Sequence, residues 1–280
     1  MTEQSSARSA RSKGPASPRS ARVTAVRALS KRSSRRESGT FLVEGPHAVR
    51  EALLWGHIRG EVITVYATVD AEVRFDFLAG LVVPVQIVED HVLHAMADTV
   101  TPQGVIAICK LPTEDLSAIF ERTEPKLLAI LANVRDPGNV GTVIRSADAA
   151  GADGVILSAE SVDPWSPKAV RSSAGSLWHL PVIANSDLTS TIAAISAHGF
   201  QIFAADTVGS VALEEIEADG GLKRPTAWIF GNEAWGLPAE ILALADVVVS
   251  LPIFGDAESL NLSMAATLAL YSSARVQRRA

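Results

Sequence analysis

The sequence predicts an α/β protein of two blocks, a smaller N-terminal α/β sandwich followed by a doubly wound parallel sheet. Three observations predict it. From residue 126 onward, short and almost wholly apolar runs recur, the pattern of strands buried on both faces. Helical stretches separate these runs, which is the alternation a parallel sheet requires. Before residue 111, shorter strand and helix patterns alternate over about 70 residues, enough for a second and smaller layer.

Bulk properties narrow the class. The chain has 280 residues, 48% apolar and 20% charged, as expected of a globular protein with a sizeable core. Its single cysteine, Cys109, has no internal disulfide partner, which points to a reducing compartment. No apolar run reaches the roughly 18 residues of a membrane span, and no signal-peptide core stands near the start. The expected location is cytoplasmic. The net charge of −6 conceals a division. Residues 1–36 hold ten Lys or Arg and one acid, whereas the rest holds 15 basic and 30 acidic side chains. A basic arm of this kind is suited to a polyanion. Its first part, SSARSARSKGPASPRSAR, has almost nothing to bury and reads as largely disordered.

Taken in order, a short helix is expected from Val23 to about Arg35, with Ala25, Val26 and Leu29 as its apolar side. TFLVEG (40–45) reads as a strand, and PHAVREALLWG (46–56) as a helix with Pro46 in its first turn. EVITVYAT and VPVQIV are strands separated by a helix in the seventies, DHVLHAMAD is a helix, and GVIAICK (104–110) closes the block. LPTEDLSAIFERTEP (111–125) reads as a linker. The second block opens with KLLAILANV (126–134) and continues with strands at GVILS, LPVIA, QIFAAD, TAWIFG and DVVVSLP. A helix over residues 259–275 ends it.

In open parallel sheets, ligands bind beyond the carboxyl ends of the strands. Three such ends are rich in glycine and polar residues: NVRDPGNVGTVIR after the first strand, FGNEAWGL (230–237), and SLPIFGDAESLNLS (250–263). The first matches neither a dinucleotide fingerprint nor a P-loop. Along its helix, Val140, Val143, Ile144 and Ala147 form a core face, leaving Gly138, Gly141, Thr142 and Arg145 on an outer strip. Arg145 there is either a solvated side chain or a group aimed at a ligand. In the second loop an amide and a carboxylate, Asn232 and Glu233, stand at a strand end, as in polar recognition or a well-capped turn. In the third, Asn261 falls in register with Met264, Ala265 and Leu268 and is expected to point inward, with Ser259 as the helix N-cap. The six histidines are scattered, so no metal-ligand spacing exists. In WSPKAVRSSAGSLWHLPV (165–182), Lys168, Arg171, Trp165 and Trp178 combine charge and aromatic surface, for gripping RNA or for packing.

In this order and spacing the three loops resemble the three signature motifs of the SpoU family of RNA ribose 2′-O-methyltransferases, in the SPOUT superfamily. DPGNVGTVIRSADAAGADGVIL resembles the first motif, IFGNEAWGL the second, and LPIFGDAESLNLSMAATLALY the third. Ala234 stands where the family commonly has glycine. The block from FLVEGPHAVREAL to TPQGVIAIC is similar to the family's L30e-like substrate-binding domain.

Beside the basic, largely disordered arm (1–36) and the linker (111–125) read from composition, the resemblance implies a substrate-binding domain (37–110) and a methyltransferase domain (126–280) with a deep trefoil knot. It implies a homodimer that takes its methyl group from S-adenosylmethionine and acts on RNA, ribosomal rather than transfer RNA given the separate N-terminal domain. Gly231, Leu251, Ile253, Leu260 and Asn261 are the implied cofactor residues. Arg145, Asn139, Glu233, Ser259 and Asn261 are the implied catalytic group. In the family the arginine assists deprotonation of the ribose hydroxyl. Because a guanidinium stays charged, anchoring a phosphate and stabilising the developing alkoxide is the more economical role. A catalytically silent RNA-binding protein on the same scaffold lacks Arg145 or Asn139, and both are present here.

Overall fold

The computed structural model describes residues 11–122 and 124–278. Contacts divide the chain into two units. One takes the described residues up to Pro112 together with Trp165–Trp178, and the other takes Thr113–Pro164 and His179 onward.

In the first unit the elements are β1 (Arg11–Lys13), α1 (Ala21–Ala28), α2 (Arg32–Ser38), β2 (Thr40–Glu44), α3 (Pro46–Trp55), β3 (Val62–Ala67), α4 (Val69–Arg74), β4 (Val85–Ile87), α5 (Asp90–Met96) and β5 (Val105–Lys110). The sheet order is β1-β4-β3-β5-β2, with β5 antiparallel to both β2 and β3. Val23, Val26 and Leu29 join Leu42, Tyr66, Val92, Leu93 and Met96 in one core cluster. The basic segment from Arg11 is therefore not a tail. Its strand pairs with β4, and α1 docks through Val23, Val26 and Leu29, with Ala25, expected on that apolar side, turned to solvent. The expected single helix is broken at Leu29–Lys31, where the buried Arg35 guanidinium donates to the carbonyls of Leu29 (2.7 Å) and Ser30 (2.9 Å). Those bonds satisfy groups freed at the end of α1. Residues 1–10 lie outside the described residues. Cys109 is buried in β5, and desolvation raises its thiol pKa well above the ordinary range, so it is unreactive.

The chain continues through α6 (Ser117–Phe120), β6 (Leu127–Leu131), α7 (Pro137–Ala150), β7 (Gly154–Ser158), α8 (Pro167–Ser172), β8 (Val182–Ser186), α9 (Leu188–Ala197), β9 (Gln201–Ala205), β10 (Val211–Ala212), α10 (Leu213–Ala218), β11 (Thr226–Phe230), α11 (Ala239–Leu242), β12 (Val247–Ser250) and α12 (Leu262–Gln277). All seven strands of this sheet are parallel, in the order β10-β12-β9-β11-β6-β7-β8. Alternate residues of β6 serve both faces. Leu128 and Ile130 pack with Ile119, Ile192, Ile195 and Ile241, so the segment expected to be a linker contributes to this core. On a different face, Trp228 donates its indole N–H to Ser273 of α12 (2.8 Å). Among the described residues no helix is long and apolar enough to cross a membrane.

Residues 165–178 lie within the second block in sequence yet group with the first unit. Trp165 and Trp178 are buried against Phe41, at ring distances of 5.1 and 6.3 Å. Arg171 pairs with the buried Glu44 (2.8 Å) and with Asp98 (3.0 Å). Both tryptophans and this arginine are structural, not a surface that grips RNA.

Candidate active site

The site forms where β6 and β11 lie side by side, Leu131 opposite Phe230, while their onward connections lead to opposite sides of the sheet. Such a reversal opens a crevice at the strand ends. Asn133 leaves β6 in the left-handed conformation (φ 57°), and Ser158 Oγ accepts its N–H at 3.0 Å. Ser158 and Ser161, both buried, continue the network to Leu131 and Val134. Asp136 caps α7 by accepting the Asn139 N–H at 2.9 Å, and Pro137 begins the helix.

The second loop is closed on itself. Asn232 and Gly236 exchange backbone bonds of 3.0 and 2.9 Å. The Asn232 side chain donates to the Asn133 carbonyl (2.8 Å) and accepts from the Ala234 N–H (2.8 Å). Asp206 accepts the Leu237 N–H at 3.2 Å, and Gly236 has φ +67°. A Cβ on Gly231 would lie 2.5 Å from the Gly236 carbonyl carbon, so only glycine fits there.

The third loop differs. Among the described residues, Leu251 to Leu260 form no backbone–backbone hydrogen bond, and Leu251, Ile253 and Leu260 are half-buried. Asn261, not Ser259, is the N-cap of α12, accepting from the Ser263 N–H (2.9 Å) and Oγ–H (2.6 Å). Nor does Asn261 point into the core. The inner face of α12 is Leu262, Ser263, Ala266, Ala269, Leu270 and Ser273, and Met264 and Leu268 are exposed. The large apolar residues misled the periodicity. The inner face packs against α7, where Ser146 meets Thr267 at 2.7 Å, and small side chains permit that approach. Gly141 is buried likewise rather than lying on an outer strip.

One amide joins the three loops. Asn139 Nδ2 donates to Glu233 Oε1 (2.7 Å), and Asn139 Oδ1 accepts from Asn261 Nδ2 (3.2 Å). With Asn261 Oδ1 committed to Ser263, each side-chain orientation in the row is set by its neighbour. Arg145, farther along α7, is exposed and has no hydrogen-bond or ion-pair partner among the described residues. Ser259 is exposed and equally unpartnered, outside the row. Asn232, offered by the sequence for polar recognition or a well-capped turn, serves the turn, and Asn133, Ser158, Ser161 and Asp206, which the sequence reading does not single out, help to hold the loops in place. Asn133 carries a signal, an asparagine closing the apolar run 127–132, where the left-handed conformation is common.

The profile of the SpoU rRNA methylase family matches residues 126–271, more than half of the chain. The chain belongs to the SpoU family. It is accordingly a member of a family of RNA-methylating enzymes. The profile of an MRM3-like substrate-binding domain matches residues 20–107. The 23S rRNA (guanosine(2553)-2′-O)-methyltransferase RlmP of Bacillus subtilis is 34% identical over 87% of this chain and 92% of that protein. A 23S rRNA (uridine(2479)-2′-O)-methyltransferase of Streptomyces viridochromogenes is 31% identical over 88% of this chain and 86% of its own length. Among solved structures, the AdoMet-bound rRNA methyltransferase from Sinorhizobium meliloti superposes with a TM-score of 0.82 at 31% identity, covering 95% of this chain and 98% of that one. The SpoU methyltransferase AviRb from Streptomyces viridochromogenes with AdoMet gives 0.81 at 31%, covering 93% and 100%.

Proposed function

We propose that this SpoU chain transfers a methyl group from S-adenosylmethionine to a ribose 2′-hydroxyl of ribosomal RNA, in the cytoplasm and as a homodimer. The Glu233–Asn139–Asn261 row carries the reading. It draws one polar side chain from each signature loop into a single bonded line, at the strand ends where a parallel sheet binds ligands. The relatives acting on 23S rRNA, together with the matched substrate-binding domain, favour ribosomal over transfer RNA.

The residues present fit the cofactor. Gly231 keeps the end of β11 free of a side chain, and the 251–260 loop offers backbone N–H and C=O groups that the protein itself leaves unpaired. Leu251, Ile253 and Leu260 supply apolar walls, and Asn261 fixes the loop's end. S-adenosylmethionine bound there supplies a methyl group already activated by its sulfonium. What remains for the chain is alignment and proton removal. A 2′-hydroxyl is barely ionised at neutral pH, so its proton must pass to solvent water as the new bond forms. Asn139, held at both ends, and Glu233 position the ribose. Arg145, with its five donors uncommitted, binds an RNA phosphate and stabilises charge developing on the 2′-oxygen. Ser259 is free to bond the RNA at the mouth of the site.

On this reading, the return of the chain from β12 through residues 251–261 to α12 on α7 is the thread of the trefoil knot. The dimer face is supplied by α12. Met264 (63% exposed), Leu268 (49%) and Tyr271 (42%) form a stripe at i, i+4 and i+7. An exposed apolar stripe of this kind marks an interaction surface.

Ribose-methylation mapping of total RNA from cells with and without the gene tests the function. One 23S rRNA position is expected to lose its methyl group without the gene. The purified protein should restore it with labelled S-adenosylmethionine. Methylation of a base, or of no RNA at all, would overturn the proposal.

A further inference from the structure

The second loop displays an indole for which the fold has no use. Its turn is held by the paired Asn232–Gly236 bonds, by both ends of the Asn232 amide, and by the steric closure at Gly231. On that rigid turn Trp235 is 61% exposed, with no hydrogen bond or ring contact among the described residues. By contrast, Trp165, Trp178 and Trp228 are buried, and the other exposed indole, Trp55 (43%), lies on α3 of the first unit. Two residues before it, Glu233 takes its bond from Asn139. The molecule thus fixes a large, unpartnered aromatic surface beside the row that positions the ribose.

We infer that Trp235 is a positioning residue that stacks on an unpaired nucleobase of the target RNA, so that the substrate is a single-stranded or bulged segment rather than continuous duplex. The inference rests on the active-site reading above. A base inside an A-form helix is stacked and paired, and its ribose follows the helix backbone. A base that has left its stack needs a replacement surface. Aromatic side chains provide one, and they tolerate any base because every base has a π-face. An RNA partner fits this turn better than a second protein chain. Trp235 stands two residues from Glu233, whose bond to Asn139 ties this turn to the row that positions the ribose, so a strand reaching that row passes the indole. The apolar stripe on α12 lies on a different element.

The test uses the full chain, purified 23S rRNA and labelled S-adenosylmethionine. Trp235→Leu is expected to raise KM for rRNA about tenfold or more, the lower part of the range for losing one base stack, with cofactor affinity and sedimentation unchanged. Trp235→Phe should restore most of that loss, because a smaller ring still stacks. In a Trp55→Phe background, which removes the other exposed indole, rising rRNA should quench the red-edge fluorescence of Trp235, and adding Trp235→Phe should abolish that quenching. An unchanged KM in Trp235→Leu, or quenching that survives Trp235→Phe, would overturn the inference. So would a lighter sedimenting species in Trp235→Leu, which would make the indole a subunit contact. If the wild type methylates no RNA, the active-site reading itself falls. A KM unaffected by the substitution in an active enzyme removes Trp235 alone.

Discussion

Gly231→Ala tests the cofactor cradle with one methyl group. The added Cβ would stand 2.5 Å from the carbonyl carbon of Gly236, 2.6 Å from its oxygen and 2.7 Å from the Leu237 nitrogen. Non-bonded carbons settle at about 3.5–4 Å, so the opposing backbone must retreat by roughly 1 Å. It has no rotamer to change. Gly236 is tied to Asn232 through both its N–H and its C=O, and Leu237 is tied to Asp206. Retreat therefore stretches three hydrogen bonds and shifts the turn that carries Glu233. Overpacking of this kind costs about 1–3 kcal/mol, which lowers the melting temperature by several degrees without unfolding the protein. A misplacement near 1 Å can cost roughly 100-fold in rate. The expected outcome is a folded variant with S-adenosylmethionine affinity reduced at least about tenfold and methyl transfer reduced about 100-fold. Differential scanning calorimetry, calorimetric titration of the cofactor and methyl incorporation into rRNA measure the three effects. A variant with a lowered melting temperature but wild-type cofactor affinity would refute the placement of Gly231 in the cradle.

Three further outcomes are expected. Arg145→Ala should abolish methyl transfer while cofactor affinity stays within a few-fold, since Arg145 has no partner among the described residues; near wild-type turnover would remove it from the mechanism. Leu260→Arg should eliminate cofactor binding by placing a charge in an apolar wall, and unchanged calorimetric binding by a folded variant would move the pocket elsewhere. Replacing Lys13, Arg19, Arg27 and Lys31, all exposed, by Gln should weaken RNA binding at low salt and make the slope of log affinity against log salt shallower by up to about 3, leaving turnover at saturating RNA nearly unchanged. Identical slopes would show that this face does not meet RNA. Substitution is the proper experiment because deleting residues 1–36 would also remove Val23, Val26 and Leu29 from the core.

The buried parallel strands were legible because a segment covered on both faces has no polar positions to confuse the reading, as Leu127–Leu131 illustrates. The three loops were legible because glycine, asparagine and carboxylate cluster at strand ends for reasons of backbone geometry. Arg145 outside and Val140, Val143, Ile144 and Ala147 inside follow directly from helical period. The inner face of α12 did not, because close helix packing selects Ala and Ser and leaves Met264 and Leu268 for a surface that needs a partner. The order of residues 11–38 was obscured by composition. Nine basic side chains hide three apolar anchors, and a buried arginine that caps a neighbouring turn looks like any other cation in sequence.

The passage of Trp165–Trp178 into the first unit makes that unit discontinuous, and this constrains how the protein can be made and remade. A fragment ending at Pro112 lacks the tryptophans that cover Phe41 and the arginine that neutralises the buried Glu44. Uncovering Phe41 exposes apolar surface meant for burial, so such a fragment should aggregate rather than fold. During synthesis the first unit has to wait for Trp178 to leave the ribosome, by which time β6 and β7 have already emerged. A chimaera that exchanges the substrate-binding part between relatives at one junction will carry a mismatched patch beneath Phe41. RNA choice and the methyl-transfer apparatus are in this way held to a common inheritance, because neither can be replaced without a splinter of the other.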